Sequence, residues 1–198
     1  LAGQHTARQH YTGIIPDGGD DLQNHLENPP YGVSDVATLN VGIQVNHRLD
    51  DFLSGSNVLT FGTEYVYDDV YDEIPAYNYL IDQTTKDFGA FIQSDWALLP
   101  ELTLLTGLRM DVHNLVDQPI FSPRASLLYK FKDYTQFRLN YGAGFRAPQA
   151  FDTDLHIAFA GGGISRIALS PELLPEYSQS VSASINFDQP TEYFVAGF

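Results

Sequence analysis

Between Phe88 and Pro148 the sequence alternates apolar and polar residues with period two, in four runs joined by tight or short connections. A strand points successive side chains to opposite faces, so this period describes strands with two chemically different sides. In the second run Leu102, Leu104, Leu108 and Met110 share one face, and Thr103, Arg109 and Asp111 the other. The fourth run is sharper. Thr135, Phe137, Leu139, Tyr141, Ala143 and Phe145 oppose Gln136, Arg138, Asn140, Gly142, Gly144 and Arg146. A soluble sandwich also alternates, so the distinction rests on length and on the polar face. The runs reach about ten residues or more, the length at which a tilted strand crosses a bilayer. Their polar faces set arginine beside glycine, a combination that a wet or plugged lumen tolerates.

The same alternation extends beyond this region. Leu39, Val41, Ile43 and Val45 oppose Asn40, Gly42, Gln44 and Asn46; Leu59, Phe61, Thr63, Tyr65 and Tyr67 oppose Thr60, Gly62, Glu64 and Asp68. Val181, Ala183, Ile185 and Phe187 oppose Ser180, Ser182, Ser184 and Asn186, and Tyr193 begins a further run. The reading is about eight antiparallel strands, with residues 36–47 and 193–198 at the edges. Residues 1–35 carry little periodicity and contain PDGGDD and ENPPYG, so they read as a loop.

Connection lengths alternate as well. RLDDFLSGSN, LLPE, the Lys132-Asp133 turn and DQPT fall at one end of the strands; the long segments before Val36, at 71–83 and at 148–176 fall at the other. Membrane barrels have this parity, short turns on the periplasmic side and long loops outside, whereas a sandwich has no reason to obey it. Only 115–121 is short for an outer connection. Trp96, just before LLPE, is then expected at the membrane interface.

Composition agrees. Twelve Tyr and thirteen Phe favour strands, and the absence of cysteine excludes disulfides and thiolate metal sites. A net charge of -15 argues against nucleic acid as a partner. No run of 18 apolar residues exists, so the chain has no candidate transmembrane helix, which a β-barrel does not need. It starts at Leu1 without a signal peptide and stops at Phe198 inside a strand-like run, and reads as a piece of a longer protein.

The motifs QSDW (93–96), LTLLTGLRMD, SPRASLLY, YGAGFRAPQAF and SPELLPEYSQS, in this order, resemble the barrel of a TonB-dependent outer-membrane receptor. The resemblance covers roughly residues 84–198 and fades over the first third. It implies a 22-stranded barrel with an N-terminal plug. It also implies import of a scarce nutrient (ferric siderophore, haem, cobalamin or similar), driven through a TonB-type energy-coupling protein. The expected fold is therefore all-β: an antiparallel up-and-down transmembrane barrel segment, incomplete, forming an open curved sheet. Residues 1–198 are read as a partial barrel without the plug, with 1–35 an extracellular loop, in contact with outer-membrane lipid. No catalytic residue and no cofactor is expected, since import of this kind is binding followed by gated passage.

Several residues stand out. Arg109, Arg124, Arg138 and Arg146, with Asp111 beside Arg109, lie on polar faces. They either make charge-assisted hydrogen bonds to a plug or form a strand-to-strand network with Asp95, Glu64 and Asp111. Gly142 and Gly144 leave backbone open to close approach, or mark a bend. Tyr71, Tyr77 and Tyr79 either meet a ligand at the mouth or pack their own connection. Asp152, Asp154 and His156 are loop candidates for ligand contact; Asp17, Asp20 and Asp21 are a weak calcium candidate, since neither cluster matches a full calcium loop. The six histidines show no metal-ligand spacing, and no GxSxG elbow is present. Two other readings compete: a soluble β-sandwich binding module, which buries Leu102, Phe137 and Tyr141 under a second sheet, and an outer-membrane barrel enzyme with an acidic mouth.

Overall fold

The structure is a computed structural model describing residues 1–11, 13, 15, 17–53, 55–131, 134–149, 157–158, 164–165, 170, 172–190 and 195–197. Its strands in chain order are β1 (Ala2–Tyr11), β2 (Tyr31–Leu49), β3 (Ser56–Ile74), β4 (Tyr79–Leu99), β5 (Leu102–His113), β6 (Ile120–Phe131), β7 (Thr135–Arg146), β8 (Ile157–Ala158), β9 (Ile164–Ser165), β10 (Glu176–Pro190) and β11 (Val195–Gly197). β8 and β9 pair only with each other; the rest form one nine-stranded open sheet in which each strand lies beside its neighbour in sequence. Every pairing is antiparallel. A helix α1 (Gly19–Glu27) sits in the β1–β2 connection, and a 3-10 turn (Pro75–Tyr77) closes β3 onto β4.

The N-terminal region departs from expectation. β1 is a full strand, paired with β2 from Ala2 opposite Asn40 to Tyr11 opposite Tyr31, so residues 1–35 are not a loop throughout. It is the sheet's true edge, and β2 starts at Tyr31 rather than near Val36. The reason is physical. β1 is polar or small on both faces and carries no period; its place is set by the backbone ladder to β2, which does not depend on side-chain type.

Register puts the apolar residues on one side. One row across the sheet reads Val45, Phe61, Ile92, Leu108, Pro123, and another Trp96, Leu104, Leu127, Leu139, Ala183. These side chains are exposed: Ile43 is 70 % accessible, Val45 59 %, Val181 72 %, and Ile92, Leu108, Leu139 and Tyr141 also remain open. No second sheet covers Leu102, Phe137 or Tyr141 among the described residues: Tyr141 is exposed and the other two are only half-buried, which removes the sandwich reading. A contiguous apolar face this wide is unstable in water and suits lipid. The opposite side reads Asn46, Thr60, Gln93, Gly107, Arg124, Gly142, Ser180 along a single row.

The apolar band stops at Tyr67, Phe88 and Val112. Beyond it the same face of β3 and β4 turns to Asp69, Tyr71 and Glu73, paired with Thr84, Asp82 and Leu80. β2, β3 and β4 run 19, 19 and 21 residues, against 12 for each of β5, β6 and β7, so the first three project past the band. That projection carries its own small core of Val70, Ile74, Tyr79 and Ile81, with Val36 and Tyr77 against it. Burial, with the nearby Asp72 carboxylate, pushes the Tyr79 phenol up to about 12.

Two outcomes follow from this architecture. Leu108→Arg, mid-band on the apolar face, should destabilise the barrel folded in lipid vesicles by about 2–4 kcal/mol. Asn186→Lys on the polar face should change it by less than about 0.5 kcal/mol; denaturant titration of tryptophan fluorescence reads both. For Tyr79, a folded pKa above the unfolded value near 10 means that its stabilisation is complete below pH ~10 and lost as pH rises through about 12. Protease resistance of the β3–β4 projection should therefore fall across that window in the native chain and less steeply in Tyr79→Phe.

Candidate functional site

The polar face gathers its charge around Arg109. From β5 its Nε donates to Asp111 Oδ1 at 2.6 Å, its Nη1 donates to Glu64 Oε2 on β3 at 3.0 Å, and its Nη2 lies 3.9 Å from Asp87 Oδ2 on β4. Glu64 also accepts from Asn40 Nδ2 of β2 at 3.0 Å, so the network crosses four strands. The guanidinium can reach back because Gly89 faces it: a Cβ there would collide with Arg109 and Asp111. Gly107 likewise lies under the Arg124 side chain, whose Nη2 donates to Gln93 Oε1. Asp111 is 2 % exposed, and its charge is tolerated because the Arg109 Nε donates to it within a charged guanidinium.

Of the two readings of these arginines, the network describes Arg109, with one change. Asp95 is not a member; Asp87 takes that place. Arg138 sits between Leu128 and Ser184 in register and has no ion pair among the described residues. Arg146, opposite Glu176, stands at the outer end of β7. The four arginines share a face, but they do not form one cluster.

Above the network lies a cavity of about 320 Å³, walled by Asp68, Thr85, Asp87, Arg109, Asp111 and His113, with Arg146 and Gln149 at its outer side. His113 is 5 % exposed. The Leu115 N–H donates to its Nδ1 at 3.1 Å, which leaves the proton on Nε2 to donate to Gln149 Oε1 at 3.0 Å. That bond ties the segment after β7 to β5. Asp87, Thr85, His113 and Gln149 were not singled out from sequence. Their conjunction depends on the register Asp87–His113 and Thr85–Asp68, which periodicity alone does not supply.

The three tyrosines do not form one platform. Tyr71 lies on the outer face and donates to Glu73 Oε2 at 2.7 Å, which, with the exclusion of water, raises its pKa. Tyr79 is buried on the opposite face, and Tyr77 sits in the 3-10 turn beside a second cavity of about 420 Å³ shared with His25 and α1. Tyr11 hydrogen-bonds His25 Nε2 and packs edge-on against Tyr31 at 5.3 Å. Asp20 and Asp21 occupy the first turn of α1, with Asp17 just ahead of it. No group of three or more histidines or carboxylates arranged to hold a metal exists among the described residues. Asp152, Asp154 and His156 lie outside the described residues. Trp96 lies on the apolar face near the β4–β5 turn and packs edge-on against Phe52 at 5.4 Å.

Removing the shared cation should be costly. Arg109→Met leaves Glu64, Asp87 and Asp111 facing one another, and should destabilise the barrel by about 1–3 kcal/mol after allowance for partial exposure. Arg109→Lys should recover only part of this, because an ammonium has no fork, while Asp95→Asn should be silent. The temperature at which the protein loses its compact gel mobility checks all three.

Comparison with known proteins places this geometry. The sequence model described as TonB dependent receptor-like, beta-barrel, matches residues 3–198. Iron-regulated outer membrane virulence proteins of two Vibrio cholerae serotype O1 strains are each 27 % identical over 136 residues, covering 67 % of this chain and 20 % of theirs. Among solved structures, a mutant of the ferric enterobactin receptor PfeA of Pseudomonas aeruginosa in complex with enterobactin superposes with a TM-score of 0.72 at 20 % identity, over 98 % of this chain and 30 % of that one. The siderophore receptor PirA of Acinetobacter baumannii gives 0.69 at 16 % identity with the same coverage. Identities this low speak for the fold alone. The chain spans 20 % of the length of its curated relatives, so it corresponds to a portion of the wall in them. The chain belongs to the β-barrel family of TonB-dependent receptors, proteins of the outer membrane.

Proposed function

We propose that this chain forms part of the wall of a receptor that imports an iron chelate of the siderophore class. The observation that supports it best is the sheet itself: one apolar face sized for lipid, one polar face, and a family match over residues 3–198. The names of the relatives point the same way, since the curated ones are iron-regulated and the solved ones are siderophore receptors. In this reading the outer connections, including the Tyr77 turn and residues 152–156, meet the chelate first. Arg124, Arg138 and Arg146 face the plug side of the sheet, Arg146 at the outer edge of the cavity above Arg109, while Arg109 is committed to its own network. Trp96 lies at the inner membrane interface. A TonB-type partner supplies the energy that moves the plug, and no bond is made or broken in the cargo, so the chain is no enzyme.

The test is uptake. A strain deleted for the receptor that carries this chain should lose accumulation of radiolabelled ferric siderophore under iron restriction and regain it on complementation. A protonophore should abolish accumulation while leaving surface binding intact. Unchanged uptake across a panel of ferric chelates in the deletion strain would refute the reading.

A further inference from the structure

The cavity above Arg109 has a chemistry of its own. Three carboxylates, Asp68, Asp87 and Asp111, stand on its wall with two guanidiniums, Arg146 at the outer side and Arg109, which is held by Asp111 and Glu64. Asp87 is left short of partners: its Oδ2 is 3.9 Å from Arg109, and its Oδ1 is covered and has no hydrogen bond. Thr85 is a second, independent sign. It is 5 % exposed, lines the cavity directly opposite Asp68, and its hydroxyl makes no hydrogen bond among the described residues. Buried polar groups find partners as a rule, so the covered Asp87 oxygen, on one wall with a Thr85 hydroxyl that no protein group engages, indicates a ligand with donors.

We propose that this cavity is a subsite for a protonated amine on a small molecule entering from outside. An ammonium supplies three donors and a positive charge; that set matches the Asp87 and Asp68 carboxylates with the Thr85 hydroxyl as a neutral acceptor. About 320 Å³ lies near the lower limit of ligand pockets, so it holds one arm of a larger molecule rather than the whole. Its height supports an external source. Asp87 and His113 pair one residue beyond Phe88 and Val112, the outer limit of the apolar band. The outer wall is completed by Gln149, from the segment that follows β7, held by His113. With Arg109 held by Asp111 and Glu64, the Asp68 and Asp87 carboxylates favour a cationic arm over a carboxylate-bearing one, so the subsite selects among chelates by the charge of their periphery. The inference rests on the proposed reading only in taking this face to look into the lumen.

The experiment is calorimetric titration of the intact, detergent-solubilised receptor carrying this chain with 1,5-diaminopentane, with glutarate as the anionic comparison. The diamine should bind and glutarate should not. Asp87→Asn should weaken the diamine about tenfold or more and Thr85→Val about threefold or more, while Asp69→Asn on the outer face should leave it unchanged. Thr85→Val keeps the side-chain shape and carries the test alone if Asp87→Asn does not fold. The proposal is overturned by no binding to the native receptor, or by binding that neither variant weakens. It is equally overturned if calcium chloride displaces the diamine at equal concentration, or if binding appears only after the lumen-filling domain is deleted. A receptor that binds the diamine but takes up no iron chelate refutes the uptake reading and leaves this one standing.

Discussion

The backbone hydrogen-bond ladder governs everything else in this molecule. A strand in hydrocarbon has no water to satisfy its N–H and C=O groups, so each must find a neighbouring strand. Once paired, the side-chain period of two makes register decisive: a slip of one residue would carry Leu108 to the polar face and Arg109 to the apolar one. The continuous pairing of β3 with β4, from Ser56 opposite Ala97 to Ile74 opposite Tyr79, shows how firmly that register is held. The apolar rows and the charged network are two consequences of the same alignment.

Within that frame the polar face solves a crowding problem. Long cationic side chains on adjacent strands need somewhere to lie, and glycine on the neighbouring strand supplies it. Arg109 lies over Gly89 and Arg124 over Gly107, each against the strand before its own. These two arginines thus run along the sheet instead of standing away from it. The absence of a side chain at 89 is also what lets three carboxylates share one guanidinium.

β2 to β7 and β10 were legible because each has one apolar face, and a period of two sustained over ten residues or more leaves few alternative folds; β8 and β9, two residues each, carry no such period. β1 was not, since AGQHTARQHY offers no contrast between its faces and owes its state to a partner. The arginines were legible as a polar-face set, and Arg109 with Glu64 and Asp111 as a candidate network. The identity of the remaining member was not, because Asp95 and Asp87 lie on the same face of β4 and only register selects the second. Tyr71 and Tyr79 look like neighbours in sequence. The 3-10 turn and the left-handed Asn78, at φ 49, fold β4 back so that they emerge on opposite sides.

The unequal strand lengths give the rim a lopsided profile. A difference of seven residues between β3 and β5 is roughly 23 Å along the strand, so the wall rises steeply on one flank. That flank is not a slack loop. The packing of Val70, Ile74, Tyr79 and Ile81 stiffens it, and Tyr77 closes its tip. Anything that meets this ridge finds it already ordered, so contact there costs little conformational entropy. The ridge thus presents a fixed shape rather than a flexible peptide.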